Sequence, residues 1–199
     1  MPHIDVYGAA ISPWTYFAGP RFDDIAARHG ATVTWKPVDL IQLFPRTGGL
    51  PLPQRHDARK AYRLQELRRA TVKTGLPFNV NPMFWPVNAA PSSYAIIAAQ
   101  ATGQGGIGAL VHAFCRACWA EERDISDDDV VRDVLARQGF DPAIADRGML
   151  MAAETYAANL EEAVSRGVFG APFYIVDGAE KFWGQDRLDD LDLFLAGKL

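Results

Sequence analysis

The sequence predicts an α/β fold in which one mixed sheet is interrupted by a helical block. Three observations carry this. The first forty residues alternate strand, helix and strand patterns. From Asp57 to Ser165 the helical period dominates. Strand character then returns at Phe173, followed by a hairpin signal and one last helix.

The elements follow in order. His3-Ile4-Asp5-Val6-Tyr7 alternates in polarity and Gly8 breaks the run, as a first strand should. Ser12-Pro13 opens a helix that runs to His29. The serine hydroxyl can cap free amides, and the fixed φ of proline suits the first helical position. Trp14, Phe17, Phe22, Ile25 and Ala26 fall broadly on one side, and Gly30 stops the helix. Gly19-Pro20 predicts a kink within it, because proline withholds a donor and crowds the preceding turn. A-T-V-T-W-K-P-V supplies a second strand around Val33 and Trp35. From Asp39 to about Pro53, glycine and proline predict a loop.

Helices then follow over Asp57 to Lys73, Pro91 to Ala101, Ile107 to Glu122 and Met149 to Ser165, with another opened by the Ser126 cap and its acidic first turn. Leu76 to Ala90 is a proline-broken connection. Phe173 to Val176 and Glu180 to Trp183 read as strands joined by the turn signal Asp177-Gly178. Gly184-Gln185-Asp186 opens the final helix, with Leu188, Leu191, Phe194 and Leu195.

The order is therefore β-α-β, a helical block, then β-β-α. That is the thioredoxin-like arrangement with a large helical insertion. Residues 1–40 with 166–199 would form a discontinuous thioredoxin-like domain, and 41–165 the inserted loop and helices.

Composition limits the function. A chain of 199 residues can bury one sizeable core, and 49% hydrophobic with 22% charged residues is ordinary for a water-soluble protein. The net charge of −4 argues against nucleic acid and anionic membranes as partners. No stretch has the apolar length of a membrane span, and M-P-H-I-D-V-Y-G lacks the pattern of a secretory signal, so the cytoplasm is expected. No metal site is expected, since His3, His29, His56 and His112 do not cluster.

The order also assembles a site. The N-terminus of the first helix at Ser12, the Gly170-Ala171-Pro172 loop and the Gly184-Gln185-Asp186 turn would meet. A helix N-terminus offers free N–H groups and partial positive charge, which stabilise an anion such as a thiolate. A cis Ala171-Pro172 bond would present the Ala171 backbone to a peptide-like ligand. Gln185 and Asp186 suit the amine and carboxylate of a zwitterion. Each residue also has a plain structural reading. Ser12 and Asp186 are ordinary helix caps, Trp85 and Trp183 can be core aromatics, and Arg46 can be a solvated loop residue.

The motifs S-P-W-T-Y-F-A, W-K-P-V-D-L, F-W-P-V-N, G-V-F-G-A-P-F and F-W-G-Q-D-R-L resemble those of the 2-hydroxychromene-2-carboxylate isomerases. These are relatives of the kappa-class glutathione transferases and the DsbA-type oxidoreductases. The resemblance implies bound glutathione, a small aromatic carboxylate substrate, a homodimer, and interconversion of 2-hydroxychromene-2-carboxylate with trans-o-hydroxybenzylidenepyruvate in the bacterial breakdown of naphthalene-type aromatics. It places Ser12 at the glutathione sulfur as the catalytic residue. Ala171 and Pro172 fall on the cysteinyl backbone, and Trp183, Gly184, Gln185 and Asp186 around the γ-glutamyl end. Trp85 and Pro86 would line the substrate side. The family often carries a lysine after the second strand. Here the chain reads L-F-P-R-T-G-G, so Arg46 would take the substrate carboxylate. Asn88 matches the pattern without an assigned role.

Rival classes are distinguishable. A kappa-like transferase would share the thiolate site and release a conjugate. A thiol-disulfide oxidoreductase would need a redox pair where Ser12 and Thr15 stand. Cys115 and Cys118 form a C-R-A-C pair, but deep in an apolar helix, so buried reduced thiols are expected. A peptide-binding module without turnover would use the same proline edge.

Overall fold

A computed structural model describes residues 1–199. Strands β1 (His3–Gly8), β2 (Thr32–Pro37), β3 (Phe173–Val176) and β4 (Glu180–Trp183) form one sheet in the order β2-β1-β3-β4. β1 runs parallel to β2, with Tyr7 opposite Lys36. It runs antiparallel to β3, with Val6 opposite Tyr174, and β4 returns antiparallel with Trp183 opposite Phe173. This is the thioredoxin-like arrangement that the element order predicts. The hairpin turns through Asp177 at φ 48° and Gly178 at φ 76°, the mirror-image backbone that two-residue hairpins favour.

Nine helices accompany the sheet: α1 (Pro13–Arg28), α2 (Leu40–Arg46), α3 (Asp57–Thr74), α4 (Ala90–Ala101), α5 (Ile107–Trp119), α6 (Asp128–Arg137), α7 (Ile144–Arg147), α8 (Met149–Ser165) and α9 (Leu188–Leu195). Two expectations are corrected. The segment from Asp39 to Pro53 is not all loop, because Asp39 accepts from the N–H groups of Ile41 and Gln42 and starts α2. The cap of α6 is Asp127 rather than Ser126, whose hydroxyl donates to Asp124 instead. The kink in α1 is present: Gly19 leaves the helical region at φ 13°, ψ −122°, just before Pro20. The His112 ring fills the notch, lying where a Cβ on Gly19 would sit, and stacks on Tyr16 at 5.1 Å.

The largest core cluster draws on both parts of the chain. Ile4, Val6, Phe22 and Tyr174 from the sheet region share it with Leu110, Phe114 and Trp119 of the helical block. Tyr174 stacks on Phe22 at 4.9 Å, and Phe22 meets Trp35 edge-on. Burying each such side chain contributes roughly 1.5–3 kcal/mol, which fixes α1 on the sheet and thereby its N-terminus. A second cluster, with Tyr7, Ala9, Leu43, Leu160, Ala171 and Phe173, packs α2 and α8 on the other face.

Near that second cluster lies a charge network that patterning does not reveal. Arg166 bonds Asp5, Tyr7 and Glu162, while Lys36 bonds Glu162 at 2.6 Å. Burial alone would raise the Glu162 carboxyl. Donation from Lys36, Tyr7 and Arg166 outweighs it and holds the group below its ordinary range. No helix is long and apolar enough to cross a membrane.

Candidate active site at the start of helix α1

Ser12 is both a cap and the centre of the site. It is 4% exposed, with extended backbone at φ −91° and ψ 116°. Its Oγ accepts from the Thr15 N–H at 3.3 Å, capping α1, with Pro13 in the first helical position. The same hydroxyl donates to the Ala171 carbonyl at 3.2 Å, across 159 residues of chain. That bond joins the helix N-terminus to the proline loop. The first turn of α1 has no acidic residue, so its positive end is not neutralised.

Ala171-Pro172 is cis, as the sequence suggested it could be. The Ala171 N–H has no acceptor in the protein, although the residue is only 6% exposed. An unpaired, largely buried donor of this kind is uncommon and calls for a partner. The Pro172 carbonyl accepts from the Gly184 N–H at 2.9 Å, which ties the proline loop to the turn after β4. Gly184 sits at φ 101°, ψ 159°, a backbone region that essentially only glycine occupies. Gln185 and Asp186 lie in a single 3₁₀ turn, and that turn packs against α1. The three predicted segments therefore come together.

Trp183 is half-exposed and its indole lies over Gly170, where any Cβ would collide with Nε1. Phe169 packs edge-on to it at 4.9 Å. On the other side stands an aromatic wall. Trp119 donates from Nε1 to the Ala10 carbonyl at 3.0 Å, just before Ser12. Phe78 stacks on Trp119 at 5.2 Å, and Trp85 packs against it at 5.7 Å. Trp85 thus belongs to the same neighbourhood as Ser12, and its own Nε1 is buried without a partner. Trp85-Pro86 is a second cis bond, which sequence reading missed. Pro86 is exposed, and Asn88 accepts from the Ala90 N–H at the start of α4.

Arg46 ends α2, and both terminal nitrogens bond the exposed Glu161 of α8, at 2.6 and 2.7 Å, a surface ion pair that sequence reading did not foresee. Cys115 and Cys118 are buried and unoxidised. Burial and then the charge of Asp124 push the Cys118 thiol up to about 12, and burial pushes Cys115 up as well. Neither thiol is poised to react.

Comparison with known proteins gives the family of the chain. A family model described as a DSBA-like thioredoxin domain matches residues 3–196. The 2-hydroxychromene-2-carboxylate isomerase of Sphingobium xenophagum is 30% identical over 195 residues, covering 96% of this chain and 97% of that one. That of Pseudomonas putida is 25% identical over 189 residues, covering 93% and 90%. Among solved structures, a 2-hydroxychromene-2-carboxylate isomerase superposes with a TM-score of 0.80 at 23% identity, covering 98% of this chain and 95% of that one. The cytosolic disulfide reductase DsbM from Pseudomonas aeruginosa, solved with GSH, gives a TM-score of 0.71 at 20% identity and covers 98% of each chain. The chain belongs to the DsbA-like thioredoxin family and, within it, to the family of the 2-hydroxychromene-2-carboxylate isomerases.

Proposed function

We propose that this enzyme is a glutathione-dependent isomerase that interconverts 2-hydroxychromene-2-carboxylate and trans-o-hydroxybenzylidenepyruvate, or a near analogue, in the breakdown of aromatic compounds. The observation that carries the reading is the junction at Ser12, where a hydroxyl, an un-neutralised helix N-terminus and the Ala171 backbone converge. The curated relatives bear the isomerase name, and a structural neighbour was solved with GSH.

The donor set fits glutathione. The unpaired Ala171 N–H and the adjacent carbonyl complement a peptide unit. Gln185 and Asp186, set beside α1, suit the charged γ-glutamyl end. Bound glutathione would supply a thiolate that adds reversibly to an electrophilic carbon, turning a double bond into a rotatable single bond. The protein's part is to keep that sulfur anionic and oriented. Ser12 does so by turning its O–H from the Ala171 carbonyl toward the sulfur, with the field of α1 behind it. Trp85 and Trp119 shield the substrate side from water. We place the enzyme in the cytoplasm as a homodimer, following the family.

Mass spectrometry of the reaction mixture tests the reading. An aromatic product of unchanged mass, with glutathione recovered intact, supports isomerisation. A stable glutathione conjugate would make the enzyme a kappa-like transferase.

A further inference from the structure

Helix α1 is one element in two pieces, and its own backbone does not hold the join. Gly19 leaves the helical region and Pro20 has no N–H to donate, so the hydrogen-bond ladder is interrupted there. The angle between the pieces then depends on what fills the notch. The rear piece is anchored: Phe22, Ile25 and Ala26 lie in the main core, and Arg28 and His29 bond Asp192 of α9. The front piece, Pro13 to Ala18, follows directly from Ser12.

His112 of α5 fills the notch. A Cβ on Gly19 would lie 2.5 Å from its Nδ1 and 2.9 Å from its Cε1, so ring and glycine share one space. The ring stacks on Tyr16 with an interplanar angle of 18°. Tyr16 donates its O–H to the Pro77 carbonyl at 2.8 Å, and Phe17 meets Phe78 at 4.9 Å. Phe78 is the ring that stacks on Trp119, whose indole holds the Ala10 carbonyl. Packed rings therefore run from the notch to the loop that carries Ser12. Leu110, Val111, Phe114 and Cys115 of α5 are buried, which gives the wedge a firm base. The ring makes no hydrogen bond at Nδ1, which is buried without a partner. Burial and then the charge of Arg116 hold the imidazole below its ordinary range, so it is neutral at pH 7. Its shape is what the notch uses.

We propose that His112 is a positioning residue for Ser12: its ring sets the aim of the front piece of α1, and so of the hydroxyl and free N–H groups that face the glutathione sulfur. The inference rests on the thiolate reading above. The field of a helix end falls off within one turn, and a misplacement of about 1 Å can cost up to about 100-fold in rate. Loss of the wedge should therefore weaken thiolate stabilisation while the binding groups at Ala171 and Gln185 remain.

The test is the ionisation midpoint of enzyme-bound glutathione, read from thiolate absorbance against pH. It is measured with the glutathione dissociation constant and turnover at saturating glutathione. The proteins are the wild type, H112A, H112F and, as a control, V131A, which opens a cavity in α6 away from the notch. H112A should raise the midpoint by about one pH unit, a roughly tenfold loss of thiolate at lower pH, with a similar loss of turnover. Its glutathione dissociation constant should stay within about threefold of wild type, and V131A should melt lower without moving the midpoint. H112F keeps a flat ring and should keep the wild-type midpoint, and added imidazole should restore turnover to H112A. If H112A does not fold, H112V carries the same predictions with a smaller void. A wild-type midpoint equal to that of free glutathione would remove the thiolate reading and the role of His112 together. A lowered wild-type midpoint that H112A retains, or that V131A loses equally, would overturn the inference alone. So would an H112F midpoint as high as that of H112A with no recovery on adding imidazole.

Discussion

Replacing Ser12 with alanine separates its two roles. The substitution removes the acceptor that caps α1 through Thr15 and the donor to the Ala171 carbonyl. Loss of a hydroxyl cap costs about 1 kcal/mol. Loss of a buried neutral hydrogen bond costs about 1 kcal/mol more. Together they predict a stability loss of about 2 kcal/mol, or roughly 4–8 °C in melting temperature for a chain of this size. Turnover should fall further than stability explains. A hydrogen bond to a charged partner is worth about 1.5–3 kcal/mol, and its absence from a thiolate corresponds to a roughly 10- to 160-fold lower rate. Glutathione should still bind, because the Ala171 backbone and the turn at Gln185 are untouched. Urea unfolding, calorimetry with glutathione and initial rates at saturating glutathione measure the three quantities. Wild-type turnover alongside the predicted instability would reduce Ser12 to a cap and refute the thiolate role.

Three further outcomes follow from particular contacts. Gly184→Ala must hold a side chain at φ 101°, so unfolding should show a loss of about 1–3 kcal/mol, and glutathione affinity should fall as the Gln185 turn shifts; an unchanged unfolding midpoint would contradict the backbone assignment. Asp23 has no ion-pair partner, lies against Gly108, and is raised to about 6 by burial and then by Asp24. Its folded state prefers the proton, so its ionisation penalises the fold above pH 6. Asp23→Asn should therefore raise the melting temperature at pH 7.5, with the gain shrinking as pH falls through about 6 toward 4. A gain independent of pH would show that the carboxylate is not the cause. Finally, thiol-specific alkylation of the native protein should be slow, and C115A/C118A should keep isomerase turnover. Loss of activity restricted to that variant would return the redox reading.

Much of this was legible in the sequence because local signals and chain order agreed. Alternation marked β1, Asp177-Gly178 marked the hairpin, and Gly19-Pro20 marked the kink of α1. The meeting of Ser12, Ala171 and Gln185 followed from the order of elements rather than from any one motif. What failed did so for physical reasons. The α2 segment L-I-Q-L-F-P-R carries Pro45 and is followed by Gly48-Gly49, so composition spoke for a loop while the Asp39 cap and packing against α8 formed a helix. Arg46 was assigned from its position in sequence, but its partner Glu161 lies 115 residues away and no local pattern announces it. Nor does the alternation of β2 show that Lys36 closes the network with Glu162, 126 residues away. Ionic pairing is tertiary, whereas capping and period are local.

On the reading proposed above, a thiol bound at Ser12 catalyses an isomerisation. The most direct measurement is the ultraviolet spectrum of 2-hydroxychromene-2-carboxylate mixed with the protein, with and without catalytic glutathione. Rapid approach to the benzylidenepyruvate equilibrium is expected only when glutathione is present. The same rate without glutathione, or no change with it, would contradict thiol catalysis at Ser12.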